Sequence, residues 1–186
     1  MSNYSIRLND LAPAGQSFVF ADQQIWTGPI AEFALACSIL QPIQAEVFCL
    51  PQDAGVLVRG KIGGQVSLPC DRCAEATTFD LEHSFDEFEG YLAPVDMQGL
   101  VPGEDYLPES ELIRLESGGP VLDIGDLLWE EFCLALPVKP LCTDDCKGVC
   151  STCGANLNRG DCACAQDAGD PRLAVLRKLK GAQSGN

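Results

Sequence analysis

Residues 142–164 read CTDDCKGVCSTCGANLNRGDCAC, and six of these twenty-three residues are cysteine. The stretch is rich in Gly and Asp and holds few large apolar side chains, so burial of apolar surface cannot fold it. A bound metal would supply the missing stabilisation, because metal binding by thiolates is coupled to folding. Disulfides, redox chemistry and unliganded thiols are the alternatives, and the rest of the chain decides among them.

The last four cysteines of this stretch have the spacing of a small zinc ribbon, in which two close cysteine pairs hold one ion. Tight turns present such pairs as the corners of a tetrahedral site. Gly154 fits this interpretation, because a glycine directly after Cys153 lets the turn keep its amides pointed at the sulfurs. The predicted ligands are Cys150, Cys153, Cys162 and Cys164.

Two further cysteine pairs could form a second all-cysteine site that links the sheet to the tail. One pair opens the quoted stretch, and the other lies in LPCDRCAE at 68–75, between two predicted strands. A thioredoxin-like CxxC should open a helix, whereas this one runs on into strand-like sequence. The four thiols are Cys70, Cys73, Cys142 and Cys146.

Zinc is the predicted metal, and an iron–sulfur cluster is the alternative, because thiolate spacing rarely separates the two. The chain has eleven cysteines, so any scheme made only of disulfides would leave one thiol unpaired. The remaining three lie in apolar runs and are predicted to be ordinary buried residues. They are Cys37, Cys49 and Cys133.

Length and composition indicate one sizeable core with a small appendage, since 46% of the 186 residues are hydrophobic. The opening MSNYSIRLND lacks the basic start and apolar run of a signal peptide. No stretch approaches the roughly 18 uninterrupted apolar residues of a membrane span. We therefore expect a cytoplasmic protein with no membrane partner, and a reducing compartment favours metal over disulfides.

The formal net charge of −15 is unevenly distributed. Residues 1–136 carry five Lys or Arg against twenty-two Asp or Glu, whereas residues 137–186 carry seven against five. The acidic part is disfavoured as a binder of phosphate backbones. The near-neutral tail is the part of the chain that can approach nucleic acid.

Alternating apolar and turn residues predict strands over most of the first ninety positions, with a hairpin turn at Gly63-Gly64. A short helix is predicted over 25–36, and residues 94–120 read as an acidic surface excursion broken by Pro and Gly. DIGDLLWEEFCLALP at 123–137 predicts a helix capped by Asp123. The predicted class is α+β: an antiparallel β-rich body with a packed helix, a small Cys-rich zinc-ribbon-like module and a C-terminal helix.

That last helix is predicted in DPRLAVLRKLKG at 170–181, with Asp170 as its N-cap and leucines at helical spacing. Its basic residues lie in the last turns, where they suit the negative end of the helix dipole. They are also the candidate nucleic-acid contacts: Arg177, Lys178 and Lys180. The predicted division of the chain is an acidic body over 1–137, the Cys-rich module over 138–166, and the C-terminal helix and tail over 167–186.

The sequence predicts neither an enzyme nor a small-molecule substrate. Its single histidine, His83, is expected to be an exposed strand residue among acids, with no nucleophile to activate. The glycine-rich phosphate-binding patterns are absent from the sequence.

Four stretches together resemble the YceD family, bacterial and plastid proteins named for large ribosomal RNA subunit accumulation. In chain order they are CDRC at 70–73, DIGDLLWEEFCLALP at 123–137, KPLCTDDCKGVCSTCGANLN at 139–158, and DPRLAVLRKL at 170–179. The resemblance implies a non-enzymatic role in the accumulation or processing of 23S rRNA, and hence in assembly of the large ribosomal subunit.

The resemblance also implies partners, namely 23S rRNA or a pre-50S particle and a basic ribosomal protein or assembly factor. We expect the acidic body to contact the basic protein and the tail, with its basic helix, to contact RNA. Two alternatives stay open at this stage. One is a zinc-stapled protein-interaction adaptor without RNA contact, and the other is a thiol-based redox or metal sensor.

Overall fold

The computed structural model describes residues 4–90, 110–116 and 118–164, which form two antiparallel sheets and two α-helices. The predicted α+β class is confirmed, while the predicted C-terminal helix lies outside the described residues. A short 3₁₀ turn, Leu8–Asp10, follows the first strand. The elements in chain order are β1 Ser5–Arg7, β2 Gln16–Phe20, α1 Gln24–Glu32, β3 Ser38–Gln52, β4 Gly55–Pro69, β5 Ala76–Gly90, β6 Ile113–Glu116, β7 Gly119–Asp123 and α2 Ile124–Ala135.

The larger sheet has the strand order β2-β3-β4-β5, and its last three strands are fifteen residues each. The two-residue turn Asp53-Ala54 joins β3 to β4 at one end of the sheet. At the other end, residues 70–75 join β4 to β5, so the first CxxC lies at the opposite end from the turn. This placement between two strands agrees with the sequence prediction.

The predicted hairpin turn at Gly63-Gly64 is wrong, because β4 continues through both glycines without a break. Here the glycine allows a close approach of two strands. A Cβ at Gly64 would come within 3.0 Å of the Ile43 side chain, beside an irregularity in the β3–β4 register. The side chain of Gln23 satisfies the backbone at this irregularity, since it bonds both the N–H of Ile43 (3.0 Å) and its carbonyl oxygen (2.8 Å).

Gly60 makes a similar close approach, and it allows a direct test of the packing. A Cβ at this position would overlap the ring of Phe85 and lie 3.0 Å from the carbonyl oxygen of Glu46. We expect Gly60→Ala to lower the free energy of unfolding by about 1–3 kcal/mol, because the packed ring and backbone must shift. Urea denaturation followed by circular dichroism measures this change.

Gly28 of α1 is the matched control for the Gly60 variant. A Cβ there would meet no atom within 4 Å. Gly28→Ala should therefore leave stability unchanged or raise it by up to about 1 kcal/mol, as alanine favours the helix. Equal destabilisation by the two variants would contradict the close packing described for Gly60.

The core lies between the larger sheet, the smaller sheet of order β1-β7-β6, and the two helices. Trp26 of α1 and Phe132 of α2 are both fully buried in it. The predicted cap of the second helix is confirmed, since Asp123 accepts a hydrogen bond from the N–H of Asp126 (3.2 Å). The short first helix is confirmed too, although it ends at Glu32. Neither helix of the described residues has the length and apolar character needed to cross a membrane.

Two sequence expectations about single residues are corrected. Cys37 and Cys49 are buried as predicted, but Cys133 is exposed, because it lies on the side of α2 turned away from the core. His83 is only partly exposed: its Nε2 lies 2.7 Å from the carboxylate of the buried Glu131 on α2. The partner that covers this histidine is 48 residues further along the chain.

Candidate metal centres

Four sulfurs meet where the β4–β5 connection contacts the chain that follows α2, and we call this group the buried centre. All of them lie within 4.8 Å of one another, and three of the four residues are buried. The residues are Cys70, Cys73, Cys142 and Cys146.

Sulfur separations in the buried centre match those of a tetrahedral metal site. Cys70 Sγ lies 3.8 Å from Cys146 Sγ, and Cys73 Sγ lies 3.7 Å from Cys142 Sγ. A zinc ion with Zn–S bonds of about 2.3 Å requires sulfurs separated by about 3.8 Å along the tetrahedron edges. A disulfide needs about 2.05 Å between sulfurs. The arrangement therefore fits a metal ion held by four thiolates.

The other four predicted ligands form a second group, which we call the exposed centre. Their sulfurs also lie within 4.8 Å of one another, but none of the four residues is buried. The residues are Cys150, Cys153, Cys162 and Cys164. The structure thus divides the eight cysteines into the two sets that spacing indicated, and their donor chemistry is the same.

The turn that begins the buried centre folds back on itself through two backbone hydrogen bonds. The N–H of Cys70 donates to the carbonyl oxygen of Glu75 (2.9 Å), and the N–H of Ala74 donates to that of Cys70 (2.8 Å). Ala74 adopts a left-handed conformation with φ of 58°. Such a conformation is uncommon outside glycine, and here it keeps both cysteines on one side of the turn.

The turn that begins the exposed centre repeats this pattern. The N–H of Cys150 donates to the carbonyl oxygen of Ala155 (2.8 Å), and the N–H of Gly154 donates to that of Cys150 (2.9 Å). Gly154 supplies the left-handed residue, with φ of 72°. Two CxxC segments eighty residues apart therefore form the same metal-ligand turn.

Backbone N–H groups stabilise the thiolate form in both turns. Burial acts to raise the pKa of Cys70, but hydrogen bonds from the N–H groups of Cys142, Arg72 and Cys73 outweigh it and lower the pKa to about 6. N–H groups of Cys153 and Thr152 likewise lower the pKa of Cys150 to about 6; the two N–H donors belong to the same CxxC turn. The thiolate is the form that binds metal.

Another thiol of the exposed centre has a raised pKa. A hydrogen bond to Cys153, together with burial and nearby negative charge, raises the pKa of Cys164 to about 12. Four adjacent thiolates repel one another, so full ionisation of the group requires a cation among them.

Arg72 fixes the tail to the sheet from within the first CxxC. Its Nη1 donates to the carbonyl oxygens of Asp144 (3.2 Å) and Cys146 (2.8 Å). One residue earlier, the N–H of Asp71 donates to the carbonyl oxygen of Pro140 (2.8 Å). These hydrogen bonds position the loop that carries the last two ligands of the buried centre.

Contacts also join the two centres to each other. Asn158 donates from Nδ2 to the sulfur of Cys146 (3.2 Å), and its Oδ1 accepts from the N–H of Lys147 (2.8 Å). Glu75 accepts from Asn156 (3.0 Å) and pairs with Arg159 (2.8 Å). The loop between the two ligand pairs of the exposed centre thus rests on the buried centre.

Comparison with known families bears on this geometry. The profile of the family described as "Large ribosomal RNA subunit accumulation protein YceD" matches residues 58–180. The chain belongs to the YceD family. The matched region begins within β4, contains α2 and both cysteine groups, and extends to the predicted C-terminal helix.

One of the curated relatives similar to this chain has the name of this family. A protein of Arabidopsis thaliana named large ribosomal RNA subunit accumulation protein YCED homolog 1, chloroplastic, is 24% identical over 75% of this chain and 49% of its own length. An uncharacterised protein of Mycobacterium tuberculosis is 28% identical over 70% of this chain and 58% of its own. The chain thus spans about half the length of the curated relatives it matches. No solved structure matches it.

The structure places all eight predicted cysteine ligands, whereas the candidate nucleic-acid contacts lie outside the described residues. Those contacts are Arg177, Lys178 and Lys180. Sequence reasoning missed the side chains that support the cysteines, namely Arg72, Glu75 and Asn158. The only local signal was the position of Arg72 inside CDRC, since the partners of all three are distant in sequence.

Proposed function

We propose that this protein is a non-enzymatic factor for accumulation of large-subunit ribosomal RNA, acting in assembly of the large ribosomal subunit. The observation that carries the proposal is the YceD family match over residues 58–180. That region contains every predicted metal ligand and all three candidate RNA contacts. The name of the Arabidopsis relative concerns the same RNA, and the RNA target of this chain is proposed by that analogy.

The metal in both centres is proposed to be structural zinc. Four protein thiolates per group leave no ligand position for water or substrate, which is the arrangement of structural rather than catalytic zinc sites. When bound, zinc would add the stabilisation that residues 138–164 lack, because only Cys146 among them is a buried hydrophobic residue. We propose that residues 138–166 behave as one metal-dependent module between the body and the 167–186 tail.

Charge supports a division of the surface between two partners. The sheet face formed by β3, β4 and β5 exposes Glu46, Asp80, Glu82 and Asp86, with Arg59 and Lys61 among them. Arg59 pairs with Asp86 at 2.8 Å, and this pair is too exposed to contribute much stability. We propose that a basic ribosomal protein or assembly factor contacts the acidic body, while the near-neutral tail contacts 23S rRNA or a pre-50S particle.

The basic tail residues provide the experiment. Replacing Arg177, Lys178 and Lys180 with glutamine removes three positive charges and keeps good helix formers. Loss of each phosphate contact should lower the slope of log affinity against log salt by roughly one. We expect weaker, less salt-dependent binding to 23S rRNA fragments, and less mature 23S rRNA in cells that contain only this variant at normal protein level.

A matched control carries the same change in charge on the body, with Arg7, Arg59 and Lys61 replaced by glutamine. All three side chains are exposed. We expect this control to keep rRNA accumulation, because it leaves unchanged both the tail and the acidic side chains that would face a basic partner. Two results together would contradict the RNA contact. The level of mature 23S rRNA would be normal with the tail variant, and it would fall when acidic residues of the body are neutralised. That outcome would assign the function to a protein-interaction adaptor.

A further inference from the structure

The two centres differ in their access to solvent. In the buried centre, Cys70 and Cys146 are 2% and 3% exposed, and Cys73 is also buried. In the exposed centre, Cys153 is exposed and the other three residues are half-exposed. Competing ligands must reach a sulfur or the metal to displace it, so exchange is expected to be faster at the exposed centre.

Folding of the exposed centre determines the position of Asn158. This residue lies between Cys153 and Cys162, the inner ligands of the two pairs. The loop is docked by the backbone bridge between Val149 and Asn156. It holds few apolar contacts, since no residue of 150–164 belongs to either buried apolar cluster. Without metal in the exposed centre, only polar contacts such as the hydrogen bond from the N–H of Lys147 remain to hold Asn158 in place.

Asn158 in turn supports the buried centre. Its Nδ2 lies 3.2 Å from the sulfur of Cys146 and donates a hydrogen bond to it. A donor to a coordinated thiolate stabilises the negative charge and fixes the direction of the sulfur. Outer-shell partners of this kind typically contribute about 10–100-fold to metal affinity.

We propose that the exposed centre is an exchangeable metal site whose occupancy retains metal in the buried centre through Asn158. The proposal rests on the metal binding put forward above. By thermodynamic linkage the coupling is reciprocal, so an empty buried centre weakens metal binding at the exposed centre by the same factor. The two ions then load and leave in a coupled way, with the exposed ion leaving first.

The test uses the full chain loaded with isotopically labelled zinc and follows its replacement by unlabelled zinc held in excess, so that the exposed centre is refilled while the buried centre exchanges. Wild-type protein should release one ion quickly and the second slowly. Cys153→Ser combined with Cys164→Ser empties the exposed centre, and we expect the remaining ion to leave about 10–100-fold faster than the slow ion of the wild type. Asn158→Ala should accelerate the slow phase similarly while both ions still bind.

Arg159→Gln is the matched control, because it alters the neighbouring residue of the same loop. It removes an ion pair with Glu75 that is exposed on both sides and worth little. We expect release rates within about threefold of the wild type. If Arg159→Gln and Asn158→Ala accelerate the slow phase equally, the faster release comes from weaker docking of the whole loop. The proposed specific role of Asn158 would then be rejected.

Cadmium-113 NMR supplies a readout that a purely structural role of Asn158 would not change. Two resonances are expected for the cadmium-substituted chain, one for each centre. Loss of the hydrogen bond to Cys146 should shift the resonance of the buried centre in Asn158→Ala but not in Arg159→Gln. If the double cysteine variant fails to fold, the comparison of these two variants decides the proposal alone.

The outcomes separate this proposal from the one on which it rests. Wild-type protein that binds no zinc would overturn both, as elemental analysis shows directly. Two zinc ions that leave independently, with an unchanged slow phase in Asn158→Ala, would overturn only the coupling. In that case the centres would be two separate structural sites.

Discussion

Removal of zinc is expected to free residues 138–164 from the sheet while β3, β4 and β5 stay paired. The buried centre forms a small cluster with Leu141 that is separate from the main core, so the core does not depend on it. Structural zinc contributes about 10–16 kcal/mol in small zinc-binding peptides. Here that energy would stabilise residues 138–164 and not the main core. Amide hydrogen exchange should show rapid exchange over 138–164 and in the CDRC turn after chelation, with protection kept in the strand centres.

The starting material for this experiment is itself informative. Purified protein should be colourless and carry two zinc ions per chain, whereas brown protein with stoichiometric iron would assign an iron–sulfur cluster. Cys133→Ser is the control, since this exposed thiol belongs to neither centre, and it should leave the zinc content at two. If chelation makes the amides throughout β3–β5 exchange rapidly, the main core depends on the metal, and the prediction that residues 138–164 unfold separately is wrong.

Asp123→Ala is expected to lower the free energy of unfolding by about 2–4 kcal/mol, because it removes a helix cap and a charge-assisted hydrogen bond from Arg114, whose side chain is 38% exposed. Asp123 is 1% exposed and stands where β7 passes into α2. It accepts a hydrogen bond from Arg114 of β6 (2.7 Å) and also caps the helix at the N–H of Asp126. One side chain therefore ties the smaller sheet to the helix. Urea denaturation of the zinc-loaded protein measures the change.

Arg7→Gln is the control for Asp123, because it breaks the ion pair with Glu116, which is about half exposed on both sides. That loss should cost about 0–1 kcal/mol. Asp123→Asn, which keeps an acceptor for the cap, should fall between the two. An Asp123→Ala variant no less stable than Arg7→Gln would show that the pair with Arg114 adds nothing to the fold.

Local patterns in the sequence predicted the parts of the fold that depend on local physics. Alternating apolar residues predicted the first half of β4, which has Val56 and Val58 buried and Arg59 exposed. Asp123 predicted the start of α2 because capping involves only the next three residues. The spacing of the cysteines indicated the close pairs for a similar reason, since a short turn brings its own two sulfurs together, whereas the joining of Cys70 and Cys73 to the pair at 142–146 depends on distant contacts.

Features that depend on distant contacts could not be predicted in this way. Gly63-Gly64 has the composition of a turn, and only the approach of Ile43 from β3 explains why the strand continues. His83 lies among acids in sequence, yet its partner is Glu131 on α2. Asn158 gave no signal, because its contact with Cys146 exists only after the loop has folded.

The length of the central hairpin has a consequence for how the protein reaches other molecules. Strand β4 is fifteen residues long, and at about 3.3 Å per residue it spans at most about 50 Å. The turn Asp53-Ala54 and the CDRC turn stand at its opposite ends. The paired strands would therefore keep molecules bound at the two ends at a fixed separation. The Cys-rich residues would lie at one of those ends.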